Sequence, residues 1–133
     1  MPRYATALAA DPATTYRQID LTARTQSADP HMLVTLLYDE LIAALGAAAW
    51  ATERRNFKVK GERVTRATAI LFALEAGLDF DKGGAAAQSF ATLYRASRQQ
   101  VVDASIGNDP APFRRVAGDI ADIAQAWKAM RPQ

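Results

Sequence analysis

Residues 27–42 read SADPHMLVTLLYDELI, and this stretch marks the start of a long helix. Asp29 is a good N-cap because its carboxylate can accept a backbone N–H. Pro30 suits the first helical position, where its missing N–H would be unpaired anyway. The leucines that follow recur at helical spacing, and they are Leu33, Leu36, Leu37, Leu41 and Leu45. The pattern predicts a helix from Pro30 to about Arg54.

Two further helices follow from the apolar spacing and the turn residues. The second is predicted from Phe57 or Lys60 to near Asp79, with apolar residues in threes and fours, the spacing of a bundle seam. Asp81-Lys82-Gly83-Gly84 is the clearest internal stop, because glycine supplies the left-handed or strained dihedrals of a tight turn. The third helix is predicted over about 85–106.

A fourth helix begins after Gly107-Asn108-Asp109-Pro110, residues that end one helix and start another. Its apolar face is regular and comprises Phe113, Val116, Ala117, Ile120, Ile123, Ala124, Trp127 and Met130. Four helices with short connections predict an all-α, antiparallel four-helix bundle over residues 27–133. Residues 1–26 lack a long amphipathic period and are predicted to form a flexible N-terminal arm, with an apolar patch at Tyr16, Ile19 and Leu21.

Composition excludes several classes of protein. The chain has 133 residues, half of them apolar, which is enough for one buried core. It has no cysteine, so disulfides, thiol nucleophiles and thiolate metal sites are ruled out. The net charge of +2 is spread over interspersed acids and bases, unlike the clustered basic face of a nucleic-acid binder. The uncharged runs are too short and too rich in alanine to span a bilayer, and the N-terminus lacks a signal-peptide core, so the sequence predicts a cytoplasmic protein with no membrane insertion.

No group of residues favours catalysis. His31 is the only histidine, and the nearby Ser27 and Asp29 are ordinary capping residues, whereas a catalytic triad draws on separated segments. Asp39 and Glu40 diverge by about 100° on a helix, so they cannot face each other as an acid–base pair. A di-iron bundle needs repeated Glu-x-x-His motifs. We therefore expect no enzyme, no cofactor and no metal.

The helices carry more large apolar residues than one seam requires. Ile70 and Phe72 flank Leu71 by about 100° on either side, so all three cannot face the same core. A similar excess occurs at Met32, Val34 and Leu36, and at Val101 beside Val102. Either the bundle core is wide, or some of these residues line an exposed groove that receives a partner's amphipathic helix.

The densest basic run comprises Arg54, Arg55, Lys58, Lys60, Arg63 and Arg66. Glu53 and Glu62 interrupt it, and no aromatic ladder accompanies it, so a solvated surface near a helix connection is favoured over a phosphate-binding face. The same run could steer an acidic partner, and the sequence leaves this open.

An ordered set of motifs resembles the flagellar secretion chaperone (FliS) family over about residues 16–130. The set begins with a tyrosine at a fixed distance before the Ser-Ala-x-Pro helix start and continues through the hydrophobic-aromatic-Asp signature. The motifs are Tyr16, Leu36-Leu37-Tyr38-Asp39, Leu78-Asp79, Gly83-Gly84, Leu93-Tyr94, Asn108-Asp109 and Trp127. The resemblance implies a chaperone that binds the disordered C-terminal segment of flagellin, blocks its premature assembly and presents it to the export apparatus.

The resemblance also implies that Tyr16 and Ile19 of the arm contact the partner, and Leu21 belongs to the same patch. These residues could cover the apolar surface when no partner is present. For the groove we predict Ile70, Leu71, Leu74, Leu93 and Tyr94. The chain departs from the family pattern at Glu40, Ala85 and Arg95, which leaves a different export client open. A self-associating structural bundle is the other alternative.

Overall fold

The computed structural model describes residues 29–130 and contains four helices. They are α1 (Pro30–Glu53), α2 (Phe57–Ala76), α3 (Phe80–Ile106) and α4 (Ala111–Ala129). Within residues 29–130 there is no strand, so the prediction of an all-α four-helix protein is confirmed. The predicted arm, with Tyr16, Ile19 and Leu21, lies outside the described residues.

The start of α1 follows its sequence signals. The Asp29 carboxylate accepts a hydrogen bond from the backbone N–H of Met32 at 2.7 Å, and Pro30 occupies the first turn. The helix ends at Glu53, and the chain turns through Arg55, which has a φ of 54°. Asn56 then caps α2 by accepting a hydrogen bond from the N–H of Val59 at 3.2 Å. Capping side chains therefore define both helix starts.

The connection between α2 and α3 differs in detail from the prediction. Helix α2 ends at Ala76, capped by Gly77, and Asp79 accepts hydrogen bonds from the N–H groups of Asp81 and Lys82 to start a new helical turn. The predicted stop appears as a kink inside α3, because Gly84 has φ 52° and ψ −127°. Side chains disfavour that conformation, so the glycine is needed there.

Contacts between helix ends establish an antiparallel bundle. His31 at the start of α1 meets Trp127 at the end of α4, and Glu53 at the end of α1 pairs with Arg114 at the start of α4. Likewise, Lys60 at the start of α2 donates a hydrogen bond to the carbonyl of Gly107, just after α3. Helix α1 packs against both α2 and α4, while α3 packs mainly against α2.

The core is centred on α1, whose leucine stripe is buried as the spacing predicts. The largest fully buried side chains are Tyr38, Phe113, Leu37, Leu41, Leu45, Ile70, Leu71, Leu74 and Ile120. Each such side chain contributes about 1.5–3 kcal/mol through removal of apolar surface from water. Among the described helices α1 alone is long and apolar enough to cross a membrane, but more than half of its apolar window is buried in the bundle.

A candidate partner-binding groove at one end of the bundle

A groove of ≈ 370 Å³ opens at the end of the bundle where α1 begins, α2 turns into α3 and α4 ends. We call it the end groove. Asp79 from the α2–α3 connection and Lys82 from the first turn of α3 contribute polar groups to its lining. Its apolar walls come from three different helices and one connection, through Val34, Tyr38, Leu78, Phe90, Tyr94 and Trp127.

Two tyrosines form the hydrogen-bonded wall of the end groove. The hydroxyl groups of Tyr38 and Tyr94 lie 2.6 Å apart, and both side chains are buried. Burial raises the pKa of Tyr38, an effect that the hydrogen bond to Tyr94 partly offsets. The Phe90 ring stacks on Tyr94 with 6.0 Å between ring centroids. The tyrosine pair therefore joins α1 to α3 and fixes the position of the aromatic rings.

A reciprocal contact between His31 and Trp127 holds the part of the groove wall that Trp127 forms. The two rings stack with 4.6 Å between centroids, and the Trp127 indole N–H donates to the His31 carbonyl at 3.1 Å. His31 Nε2 lies 2.8 Å from the Trp127 carbonyl, so Nε2 must carry a proton to donate. Tyr38 meets the Trp127 ring edge-on at 6.5 Å. Aromatic side chains of α1 and α4 are thereby locked together beside the groove.

The residues predicted for the groove fall into two sets. Tyr94 lines the end groove, and Leu93, next to it on α3, is half-buried. The side chains of Ile70, Leu71 and Leu74 have no exposed surface, because α2 turns this face toward the bundle interior. In this structure the last three therefore contribute to the core, and a partner bound at the surface would not touch them.

Sequence reasoning did not assign Tyr38, Phe90 or Trp127 to the groove. A signal was present, since a tyrosine or tryptophan in an apolar stripe needs a partner for its polar atom when it is buried. Tyr38 interrupts the leucine stripe of α1, and Trp127 ends that of α4. Their partners lie 56 and 96 residues away along the chain, which helical periodicity alone does not reveal.

The apolar surplus noted in the sequence divides between core and surface. Ile70 and Leu71 are buried and Phe72 is exposed, while Val101 is buried and Val102 is exposed. On α1, Val34 and Leu36 are buried and Met32 is exposed. Each group therefore leaves one large apolar side chain at the surface, so a wide core and exposed apolar residues both occur.

The ion pairs between described residues join neighbouring helices. Asp39 pairs with Lys128 of α4, whereas Glu40 pairs with Arg66 of α2, so these adjacent carboxylates point toward different helices as expected. Glu75 accepts from both Arg95 and Arg98 of α3. Within residues 29–130 there is no cluster of three or more histidine or acidic residues that could hold a metal ion.

The protein is an all-α four-helix bundle with an apolar, aromatic groove at one end. The model of the family described as flagellar protein FliS matches residues 12–133 of this chain. The chain therefore belongs to the FliS family.

Several relatives support this assignment. The chain is 34% identical over 119 residues to a flagellar secretion chaperone FliS of Salmonella typhimurium, covering 89% of this chain and 88% of that protein. It is 30% identical to a flagellar secretion chaperone FliS of Vibrio cholerae, with 89% and 87% covered. It is also 29% identical to a flagellar secretion chaperone FliSB of Pseudomonas aeruginosa, with 84% and 89% covered. The resemblance stated from the sequence is confirmed.

Proposed function

We propose that this protein is a cytoplasmic export chaperone that binds the disordered C-terminal segment of flagellin. Its binding prevents premature polymerisation and delivers the client to the flagellar export apparatus. The observation that carries the proposal is the end groove of ≈ 370 Å³, walled by Tyr38, Phe90, Tyr94 and Trp127, in a member of a chaperone family. The role requires recognition of a peptide and no chemical reaction.

The groove suits one or two apolar side chains of an amphipathic client helix. Removal of apolar surface from water yields about 25 cal/mol per Å², and the aromatic walls supply that surface without having to reorganise. Lys82 and Asp79 in the lining can pair with polar groups that flank the client's apolar residues. We assign direct contact to Tyr94 and to Leu93. Ile70, Leu71 and Leu74 would be reached only if α2 moved away from its neighbours.

The arm residues Tyr16, Ile19 and Leu21 are proposed as a displaceable cover and as part of the client contact. Each buried side chain contributes about 1.5–3 kcal/mol, and fixing the backbone costs about 1–2 kcal/mol per residue. These contributions nearly cancel, so a client segment could replace the arm at little net cost. A variant with Tyr16→Ala and Ile19→Ala should stay folded by circular dichroism and change the affinity for flagellin. Unchanged affinity would remove the arm from the site.

Calorimetric titration with the C-terminal segment of flagellin from the same organism tests the central proposal. We expect saturable one-to-one binding with a negative heat-capacity change, the mark of apolar burial coupled to ordering. Phe90→Ala should weaken binding, because this half-buried ring lines the groove. Phe72→Ala, on an exposed ring outside the groove, is the matched control. Equal loss in both variants would place the client elsewhere, and absence of binding to the folded protein would reject flagellin as the client.

The alternative function is a self-associating bundle, which the exposed large apolar side chains on α1, α2 and α3 favour. Light scattering separates the two functions. A dimer whose mass does not change with concentration, and which does not dissociate when flagellin is added, would favour self-association. If the protein is monomeric and binds a different export substrate, the chaperone role stands and only the client changes.

A further inference from the structure

The end of the bundle opposite the end groove carries a second set of exposed features. It contains the α1–α2 turn and the α3–α4 turn, which two contacts bring together. Lys60 of α2 donates to the Gly107 carbonyl after α3, and Arg114 of α4 pairs with Glu53 of α1. With 1.5 Å of rise per residue, the 12 residues from Tyr38 to Trp50 on α1, and the 12 from Tyr94 to Ile106 on α3, separate this end from the groove by roughly 18 Å.

Three large apolar side chains are exposed at this end. Trp50 is 49% exposed, Phe57 is 58% exposed and Ile106 is 84% exposed. Phe57 lies one helical turn before Lys60, and Ile106 immediately precedes the carbonyl that Lys60 contacts. Phe57 at the start of α2 and Ile106 at the end of α3 therefore both lie beside the contact between Lys60 and Gly107. Exposed apolar side chains that lie near one another, as Phe57 and Ile106 do beside the Lys60–Gly107 contact, are typical of interaction surfaces.

Cations lie beside Trp50 and Phe57, whereas the charged residues nearest to Ile106 in the chain are the carboxylates Asp103 and Asp109. Residues 50–66 contain six cations and two carboxylates, a local net charge of +4. The Arg54 guanidinium lies 4.7 Å from the centroid of the Trp50 ring. Arg55 and Lys58 are exposed, and neither forms an ion pair with any residue of the described range 29–130. We call this surface, defined by Trp50, Arg54, Arg55, Phe57, Lys58 and Ile106, the basic end.

We propose that the basic end docks an acidic amphipathic segment of a second protein, and that it does so while the end groove holds the client. Acidic side chains of such a segment would face Arg54, Arg55 and Lys58, and its apolar face would cover Phe57 and Ile106. A second copy of this chain is a poor occupant, because two basic ends would bring like charges together. The roughly 18 Å between the surfaces exceeds the diameter of about 10–12 Å of a helix with its side chains, so a helical segment can dock at the basic end beside a client in the groove.

The test uses the full chain and three synthetic helical peptides. They share one apolar face of leucine and phenylalanine, and their polar faces carry glutamate, glutamine or lysine. Fluorescence anisotropy should show saturable binding of the glutamate peptide and much weaker binding of the other two. Affinity should fall at least about tenfold between about 0.1 M and 1 M salt, because the Debye length shrinks from about 10 Å to about 3 Å.

A pair of double variants localises the site. Phe57→Ser with Ile106→Ser should weaken the glutamate peptide about tenfold, since both side chains lie on the proposed surface. Phe80→Ser with Met130→Ser removes exposed apolar side chains away from the basic end and should leave binding unchanged. The proposal is overturned if both variants lose binding equally, if the lysine peptide binds as well, or if no peptide binds at low salt.

Titration of the same variants with the flagellin segment separates this inference from the proposed function. Phe57→Ser with Ile106→Ser should leave the affinity for flagellin unchanged. Loss of flagellin affinity together with peptide affinity would assign the basic end to the client site and reject a second partner there. Peptide binding without any flagellin binding would support the basic end and reject flagellin as the client.

Discussion

The two ends of the bundle use aromatic residues in opposite ways. Around the end groove, Tyr38 and Trp127 are held by hydrogen bonds from other helices. At the basic end, Trp50 and Phe57 are exposed, and the contacts between helices there are made by Lys60 and Arg114 instead. The difference teaches that tyrosine and tryptophan rings can wall a groove and hold helices together at the same time when their polar atoms find partners across a helix interface. The exposed rings of Trp50 and Phe57 contribute little to holding the helices together.

Truncating one aromatic residue at each end gives the strongest test of this difference. Tyr38→Ala should lower the free energy of unfolding by about 3–5 kcal/mol, because it leaves a cavity beside Trp127 and Tyr94. Phe57→Ala should change it by no more than about 0.5 kcal/mol, as for other surface positions. Urea denaturation measures both values. Similar losses at the two ends would contradict the division into scaffold and exposed surface.

Removing one hydroxyl tests the hydrogen bond of the end groove without leaving a cavity. Tyr94→Phe deprives the buried Tyr38 hydroxyl of its hydrogen-bond partner at 2.6 Å. We expect a loss of about 1–3 kcal/mol, the cost of leaving a buried polar group unsatisfied. The single variant Tyr38→Phe and the double variant Tyr38→Phe, Tyr94→Phe complete the comparison. If the double variant is as unstable as the sum of the single variants, the two hydroxyls are not coupled.

The buried tyrosine also predicts an alkaline response. An unfolded chain ionises tyrosine near pH 10, whereas burial raises the pKa of Tyr38 in the folded protein. Above about pH 10 the unfolded state loses this proton first, so the free energy of unfolding falls by up to about 1.4 kcal/mol per pH unit. Below that pH the contribution is fully present. Tyr38→Phe should show a shallower decline in alkaline denaturation curves, and parallel curves for both proteins would argue against a raised pKa.

Much of the fold could be predicted because its signals are local. The N-cap at Asp29, the proline after it and the leucine stripe define α1 within a short window. The end of α2 was predicted three residues too late, since the double glycine is the stronger sequence signal while Gly77 caps the helix. The rotation of α2 about its axis, which decides which of its side chains face the core, has no local sequence signal, because it depends on packing against α1 and α3. That rotation buries Ile70, Leu71 and Leu74 and leaves Phe72 exposed.

The candidate site could be predicted only in part for a similar reason. Tyr94 was identified from the family motif, but its hydroxyl partner Tyr38 comes from a different helix. The pairing of His31 with Trp127 joins residues near opposite ends of the described chain. Spacing along one helix indicates which residues share a face and does not indicate which faces meet. The basic run likewise looks uniform in sequence, yet Lys60 and Arg66 are engaged with α3 and α1 respectively.

The two tryptophans provide the mildest test of the difference between the ends. Trp127→Phe removes the indole N–H that donates to the His31 carbonyl and should lower the free energy of unfolding by about 0.5–1.5 kcal/mol, the net value of one hydrogen bond. Trp50→Phe removes an exposed indole that stacks only with Arg54 among residues 29–130 and should cost less. Hydrogen exchange should then quicken at the start of α1 and the end of α4 in Trp127→Phe alone. Equal exchange in both variants would mean that the His31–Trp127 pair does not hold these helix ends together, and the wall of the end groove would need another support.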